Sequence, residues 1–174
     1  NSDIIKQSNH LVETLDEFRS FFRPKSISKD VSVEKLITEV LTLMKLVLIQ
    51  ENIEIGINCD KSIEIDVIET EFKHIFINLI NNSKDAFNKH NIENKKINFD
   101  VKKEDDKVVI KISDNAGGIP DNIIDHIFTS NFTTKEKTGG SGVGLHMTKQ
   151  IVEKTGATIE VKNVDNGVCF SIVI

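Results

Sequence analysis

Positions 78 to 85 read Asn-Leu-Ile-Asn-Asn-Ser-Lys-Asp, inside a segment whose apolar residues recur with helical spacing. Asparagine is a mediocre helix former, because its short amide competes for nearby backbone hydrogen bonds. A merely solvated face would more cheaply carry Glu, Lys or Gln. At about 100° per residue, Asn78, Asn82 and Asp85 fall within about 60° of arc. Phe72, Ile75, Phe76, Leu79, Ser83, Ala86 and Phe87 form the adjacent stripe, which faces a core. The polar line therefore runs along the border of the buried face, where it walls a cleft. Two side-chain amides one turn apart offer carbonyl oxygens to a metal and amide hydrogens to phosphate oxygens.

The rest of the chain supplies the walls around that helix. Residues 3–22 repeat Ile4, Ile5, Leu11, Val12, Leu15, Phe18 and Phe22 at three- and four-residue steps, and Arg23-Pro24 ends the pattern. One such helix cannot bury its own stripe and calls for a partner helix. Ser32 is a cap for a helix over 33–49. Alternation gives strands at 53–57 and 63–65, and the asparagine helix follows over 69–89. Strands at 96–102 and 107–113 form a hairpin. Residues 114–142 are irregular, far longer than an ordinary connection, and loops of that length usually bind something or close over it. A helix over 143–155 stops at Gly156, and strands at 158–162 and 168–174 close the chain around Asp165-Asn166-Gly167. This order predicts an α+β fold: two layers, helices on one face of a mixed sheet, preceded by one long amphipathic helix.

Bulk properties narrow the function. A hydrophobic fraction of 39% supports a real core, and a net charge of −5 gives no basic footprint for nucleic acid. No apolar run approaches the roughly 18 residues a membrane helix needs. Cys59 and Cys169 read as small buried hydrophobes of a reducing compartment, with one disulfide as the alternative. The chain begins at Asn1, and its first periodic segment starts almost at once, as in a fragment of a longer protein.

Three segments carry chemistry. Asp114 leaves a strand into Asn115-Ala116-Gly117-Gly118-Ile119-Pro120. A carboxylate there can accept from an exocyclic amine such as adenine N6. Taken alone, the segment reads better as a tight turn with an Asx cap. Gly139-Gly140-Ser141-Gly142-Val143-Gly144-Leu145 opens straight into the last helix, exposing amides at a helix N-terminus, which suits a polyphosphate. No strand immediately precedes it and no GxxxxGK[ST] is present, so neither a dinucleotide fold nor a P-loop fits. Between them, Phe128 and Phe132 form a hydrophobic latch in a polar lid, and Lys135 can reach a terminal phosphate. A flexible linker and a solvated lysine are the bland alternatives for these two.

In combination, Asn78…Asn82, Asp114-Asn115-Ala116-Gly117-Gly118, Phe128…Phe132-Thr133-Thr134-Lys135 and Gly140-Ser141-Gly142-Val143-Gly144 resemble the N, G1, F and G2 boxes of sensor histidine kinases. The resemblance covers about residues 31–174 and implies the Bergerat ATP-binding fold of the GHKL superfamily, a two-layer α/β sandwich. Residues 1–24 look like the second helix of the dimerisation and histidine-phosphotransfer hairpin. The resemblance implies ATP and Mg²⁺, with Asn82 as metal ligand. Asn78 would hold phosphate and metal water, and Lys135 would face the γ-phosphate; these two carry the catalytic roles. Asp114 would read adenine N6, Gly118 would allow close approach, and Gly140, Gly142 and Gly144 would wrap the phosphates. Asp85, Ala116, Ile119, Phe128, Thr133, Thr134, Ser141, Val143 and Leu145 complete the implied nucleotide site. The implied partners are the phosphotransfer hairpin of the same protein or its dimer mate and a response-regulator receiver domain. The resemblance also implies a homodimeric full-length protein and a cytoplasmic location, including as the cytoplasmic part of an inner-membrane sensor.

Three departures stand out. Ala116 and Ser83 replace the family's usual Gly and Ala, and Asp85 stands where many relatives carry a base. The Asn-x-x-Asp-Ala version, at 82–86, resembles the nitrogen-regulation branch. His10 is followed by Leu11-Val12-Glu13, which does not fit the acceptor box, so the acceptor histidine is expected on a preceding helix. His74, His90, His126 and His146 read as structural or solvated. The superfamily's ATPases are expected to carry a Glu four residues before the metal-binding Asn; here that place holds Asn78, a poor general base. This favours phosphoryl transfer to a protein over hydrolysis. An anti-sigma type serine kinase and a non-catalytic nucleotide-dependent interaction module are the alternatives on the same fold.

Overall fold

The computed structural model describes residues 27–130 and 143–174. The expected leading helix at 3–22 lies outside them. The chain first forms β1 (Lys29–Ser32), then two helices in succession, α1 (Val33–Leu43) and α2 (Lys45–Gln50). Strands β2 (Ile53–Cys59) and β3 (Glu64–Val67) lead to the long helix α3 (Glu69–His90). The hairpin β4 (Lys95–Glu104) and β5 (Lys107–Asp114) follows, then a single turn α4 (Asp121–Ile124), the helix α5 (Gly144–Lys154), and the closing hairpin β6 (Thr158–Val164) and β7 (Gly167–Val173).

Five strands form one mixed sheet in the order β2-β4-β5-β7-β6. β2 and β4 are parallel, as their connection through α3 requires, and the other pairs are antiparallel. Burial alternates along the strands. In β4, Ile97, Phe99 and Val101 are buried while Lys96, Asn98 and Lys102 are exposed, so one face meets the helices and the other meets water. The expected two-layer sandwich is thus observed. The apolar stripe of α3 is the centre of the core: Phe72, Ile75, Phe76, Leu79, Ile80 and Phe87 are fully buried. Phe76 meets Phe72 and Phe99 edge to face, with centroids 6.4 Å and 5.9 Å away.

Two expectations are corrected. The single helix over 33–49 is two helices broken at Met44, whose φ −90° and ψ 2° leave the helical region. The hydroxyls of Thr38 and Thr42 both donate to the carbonyl four residues back, at 2.9 and 2.8 Å, an arrangement that bends helices. Ser32 does cap the first helix, accepting from the Lys35 amide at 3.4 Å. The second correction is β1, a strand not expected from its four residues, of which only Val31 is buried and apolar. It pairs antiparallel with β3 in a small separate sheet. Its existence depends on a partner 32 to 38 positions away, by the register Ser32 to Glu64 and Lys29 to Val67.

An ion-pair chain ties β1 to the helices. Both carboxylate oxygens of Glu69 are engaged, by Lys29 and Lys73, each at 2.7 Å, and Lys73 also pairs with Glu39 of α1. The Lys29 and Lys73 ammonium groups hold the Glu69 carboxyl down to about 2, from an ordinary 4.5. A lowered folded-state pKa gives stability that is present above about 4.5 and lost as pH falls through about 2. Denaturant midpoints should therefore fall more steeply between pH 5 and 2 for the unaltered chain than for Glu69→Gln. Parallel titrations of the two proteins check this, and equal slopes would dismiss the Glu69 contribution.

Candidate functional site

α3 and α5 pack antiparallel. Glu71, near the start of α3, pairs with Lys154 at the end of α5 at 2.8 Å. One to two turns further along α3, Asn78 reaches the start of α5. Its Nδ2 donates to the buried Thr148 hydroxyl at 2.8 Å. A Cβ on Gly144 would overlap the Asn78 Oδ1 and lie 3.0 Å from its Cγ, so any larger residue at the start of α5 would displace the Asn78 amide. Asn78 of α3 and the N-terminus of α5 thus lie against each other.

Asn82, the next turn of α3, is half-buried. Its amide nitrogen is buried and has no hydrogen-bond partner among the described residues. A buried donor left unpaired costs roughly 1–3 kcal/mol. Asp85 is half-buried one turn on.

Asp114 ends β5 and is 9% exposed. Its Oδ1 accepts from the amides of Ala116 at 3.0 Å and Val168 at 3.3 Å, and its Oδ2 accepts from the Ser83 hydroxyl at 2.5 Å. The turn cap read as one alternative in the sequence is present: Oδ1 caps the turn, and Oδ2 faces α3.

The turn after Asp114 is held from three sides. The His90 Nδ1 donates to the Ala116 carbonyl. Asn163 of β6 accepts from the Ile119 amide and donates to its carbonyl, both at 2.8 Å. Asn115 turns away, accepting from the Lys96 amide at 2.8 Å and donating to the Asn94 carbonyl at 2.7 Å. Positive φ values fall at Gly117 (95°) and Gly118 (79°) and not at Ala116, so alanine at that position imposes no backbone strain.

Phe128 packs edge to face on Phe170 with centroids 6.3 Å apart, and its carbonyl accepts from His146 Nδ1 at 3.0 Å. The Lys149 ammonium lies 5.9 Å from the Phe128 ring centroid. Phe128 is thus held against β7 and the first turn of α5; Phe132, the other half of the expected latch, lies outside the described residues. Leu145 and Ile119 pack partly buried against the core, and Val143 precedes α5 half-buried. Thr133, Thr134, Lys135, Gly140, Ser141 and Gly142 lie outside the described residues.

Ser83, Thr148 and Asn163 were not singled out from the sequence as site residues. Ser83 carried one legible signal, a polar side chain on the buried stripe of α3. Thr148 and Asn163 carried none, since their partners are 70 and 44 residues away. Cys59 and Cys169 are free and half-buried rather than buried, and partial burial pushes both thiols up, which leaves them poor nucleophiles. A groove of about 700 Å³, lined by Asn58, Asp60, Ser62, Lys102 and Glu104 among others, lies at the opposite end of β4 from Asp114 and shares no candidate residue.

Residues 67–174, more than half of the chain, match the family described as histidine kinase-, DNA gyrase B-, and HSP90-like ATPase. The chain belongs to this family. A probable C4-dicarboxylate sensor kinase of Bacillus subtilis (strain 168) is 39% identical over 97 residues, 55% of this chain and 18% of that protein. The signal transduction histidine-protein kinase ArlS of Staphylococcus aureus (strain USA300) is 28% identical over 118 residues, 65% of this chain and 25% of that protein. The chain thus spans a quarter or less of the length of these relatives. The catalytic domain of histidine kinase ThkA, nucleotide-free, superposes with a TM-score of 0.76 at 28% identity, covering 86% of this chain and 95% of that one. ThkA in complex with the response regulator TrrA gives 0.75 at 25% identity, covering 99% and 49%. The fold is that of a sensor histidine kinase catalytic domain. Among the described residues no helix is long and apolar enough to cross a membrane.

Proposed function

We propose that this domain binds Mg-ATP between α3 and the segment from Asp114 to α5, and transfers the γ-phosphoryl group to a histidine on a phosphotransfer hairpin. The observation that carries the reading is the convergence of Asn78, Asn82, Asp114 and the N-terminus of α5 on one side of α3, with the Asn82 amide nitrogen buried and unpartnered. The donor chemistry fits: Mg²⁺ is held by few protein oxygens plus substrate phosphates, which suits the Asn82 side-chain carbonyl. When bound, Mg²⁺ neutralises phosphate charge during in-line transfer. Asn82 is its ligand in this reading, and the Asn82 amide hydrogens are available to a phosphate oxygen. Asp114 takes the adenine amino group, with Gly118 giving room for close approach. Gly140, Gly142 and Gly144 enclose the phosphates, and Lys135 faces the terminal one.

Asn78 bears on what happens to the phosphoryl group. Its nitrogen is committed to Thr148, and its remaining oxygen is a neutral amide that does not take a proton from water. This supports transfer over hydrolysis. The receiver of the histidine's phosphoryl group is then the receiver domain of a response regulator, as befits the neighbour solved with one. In full length the protein is read as a homodimer with this domain in the cytoplasm.

The test supplies a phosphotransfer hairpin in trans with labelled ATP and Mg²⁺. Acid-labile, base-stable label on the hairpin is expected. ATP binding with no phosphohistidine on any supplied hairpin would favour a nucleotide-dependent interaction module, and phosphoserine would favour a serine kinase.

A further inference from the structure

We infer that Asn163 of β6 is a positioning residue for nucleotide binding, because it fixes the backbone of the turn after Asp114; this rests on the nucleotide reading above. β6 is an edge of the sheet, and alternation puts Asn163 on the same side as the buried Ile159, the side that faces the helices. Its side-chain amide is used at both ends. The Oδ1 accepts from the Ile119 amide at 2.8 Å. The Nδ2 donates to the Ile119 carbonyl at 2.8 Å and to the Asp121 Oδ1 at 3.4 Å. Both main-chain groups of Ile119 are thus paired with one side chain, as they would be with a neighbouring strand.

The turn requires such a hold. Gly117 and Gly118 are consecutive and both at positive φ, and glycine loses more conformational freedom than any other residue on being fixed. Before this pair the chain is tied down several times: His90 donates to the Ala116 carbonyl, Asp114 accepts from the Ala116 amide, and the Asn166 carbonyl accepts from the Gly117 amide at 2.7 Å. After it, Pro120 has no N–H, and among the described residues the main chain of Ile119 bonds to Asn163. The Ile119 side chain packs partly on the core, which leaves its two peptide groups to Asn163. Gly118 itself lies against the amide, since a Cβ there would be 3.2 Å from the Asn163 Oδ1. Without Asn163 a ligand at this turn would have to order the two glycines as it bound, and its affinity would fall by that cost. In the nucleotide reading the phosphates sit at Asn82 and the start of α5, away from this turn, so the transfer step is not touched.

The test compares Asn163→Ala and Asn163→Asp with the unaltered chain. It measures calorimetric affinity for Mg-ATP, melting temperature, and KM and kcat for transfer to the hairpin supplied in trans. Asn163→Ala is expected to weaken affinity and raise KM about tenfold, the scale of one lost hydrogen bond and a freed residue. Its kcat should stay within about twofold, because only binding is affected. Its Tm should stay within about 3 °C, because Asn163 is exposed. Asn163→Asp keeps the shape but sets a carboxylate oxygen against the Ile119 carbonyl and the Asp121 carboxylate, so it should lose at least as much affinity. An aspartate variant that binds as tightly as the unaltered chain would show that only shape matters at this position and would overturn the inference. So would a fall in kcat that matches the rise in KM, or a larger fall in Tm, since either marks a residue that only supports the fold. If the unaltered chain binds Mg-ATP and transfers nothing, the two affinities decide alone. If it binds no Mg-ATP, the nucleotide reading itself falls, and this inference with it.

Discussion

Asn82→Ala should abolish Mg-ATP binding while leaving the domain folded. The two halves of that expectation have separate causes. The side chain sits on the border of the buried face, where the neighbouring Leu79, Ile80 and Ser83 carry the packing. Its amide nitrogen makes no hydrogen bond among the described residues, so truncation forfeits none there and removes one unsatisfied donor. Stability should therefore change by less than about 1 kcal/mol. Affinity should fall by at least about a hundredfold, because the proposed metal ligand and a phosphate donor go together, each worth on the order of 1.5–3 kcal/mol when charge is involved. Calorimetric titration with ATP and Mg²⁺, alongside denaturant unfolding, separates the two quantities. Undiminished affinity in a folded variant would remove Asn82 from the site.

The largest effect on stability is expected at Gly167→Ala. Gly167 is buried at the start of β7, where the strand crosses the end of β5. A Cβ there would overlap the Asp114 carbonyl oxygen and lie 2.5 Å from its carbon and 2.8 Å from the Asn115 Cα. All three are backbone atoms, so no rotamer change relieves the overlap. β5 and β7 would have to part where the Val168 amide bonds Asp114. The cost should be roughly 3 kcal/mol or more, at the upper end for overpacking. For a domain of this size that is a fall in Tm of about 6–12 °C. Because the same backbone seats Asp114, any fraction that folds should also bind ATP more weakly. A melting temperature within about 2 °C of the unaltered chain would show that the strands separate easily at this point.

Much of the molecule was legible from the residues in order. The stripe of α3 could be read because helical periodicity is a local property, and Phe72, Ile75, Phe76, Leu79 and Phe87 are all fully buried. Both hairpins could be read because alternation and turn residues are local too. Asp105 and Asp165 take the positive φ values that their tight turns need, 53° and 35°. The break at Met44 was less visible, since an unbroken apolar repeat runs through it and the cause lies in threonine side chains that bond backward. β1 was invisible because a four-residue strand is stable only where another strand meets it.

Local pattern and short motifs were thus enough to settle the two-layer fold, the helix that carries the asparagines and the family. These depend on which residues follow one another, and chain order records that directly. Only the tertiary structure decided how the polar groups are spent. It gave the Asn78 nitrogen to Thr148 across 70 residues, and the Ser83 hydroxyl to Asp114 across 31. Each polar side chain has many possible partners along the chain and room for only a few. Which of them it meets is set by the packing of α3 against α5 and the sheet, a contact between distant segments that no local periodicity encodes.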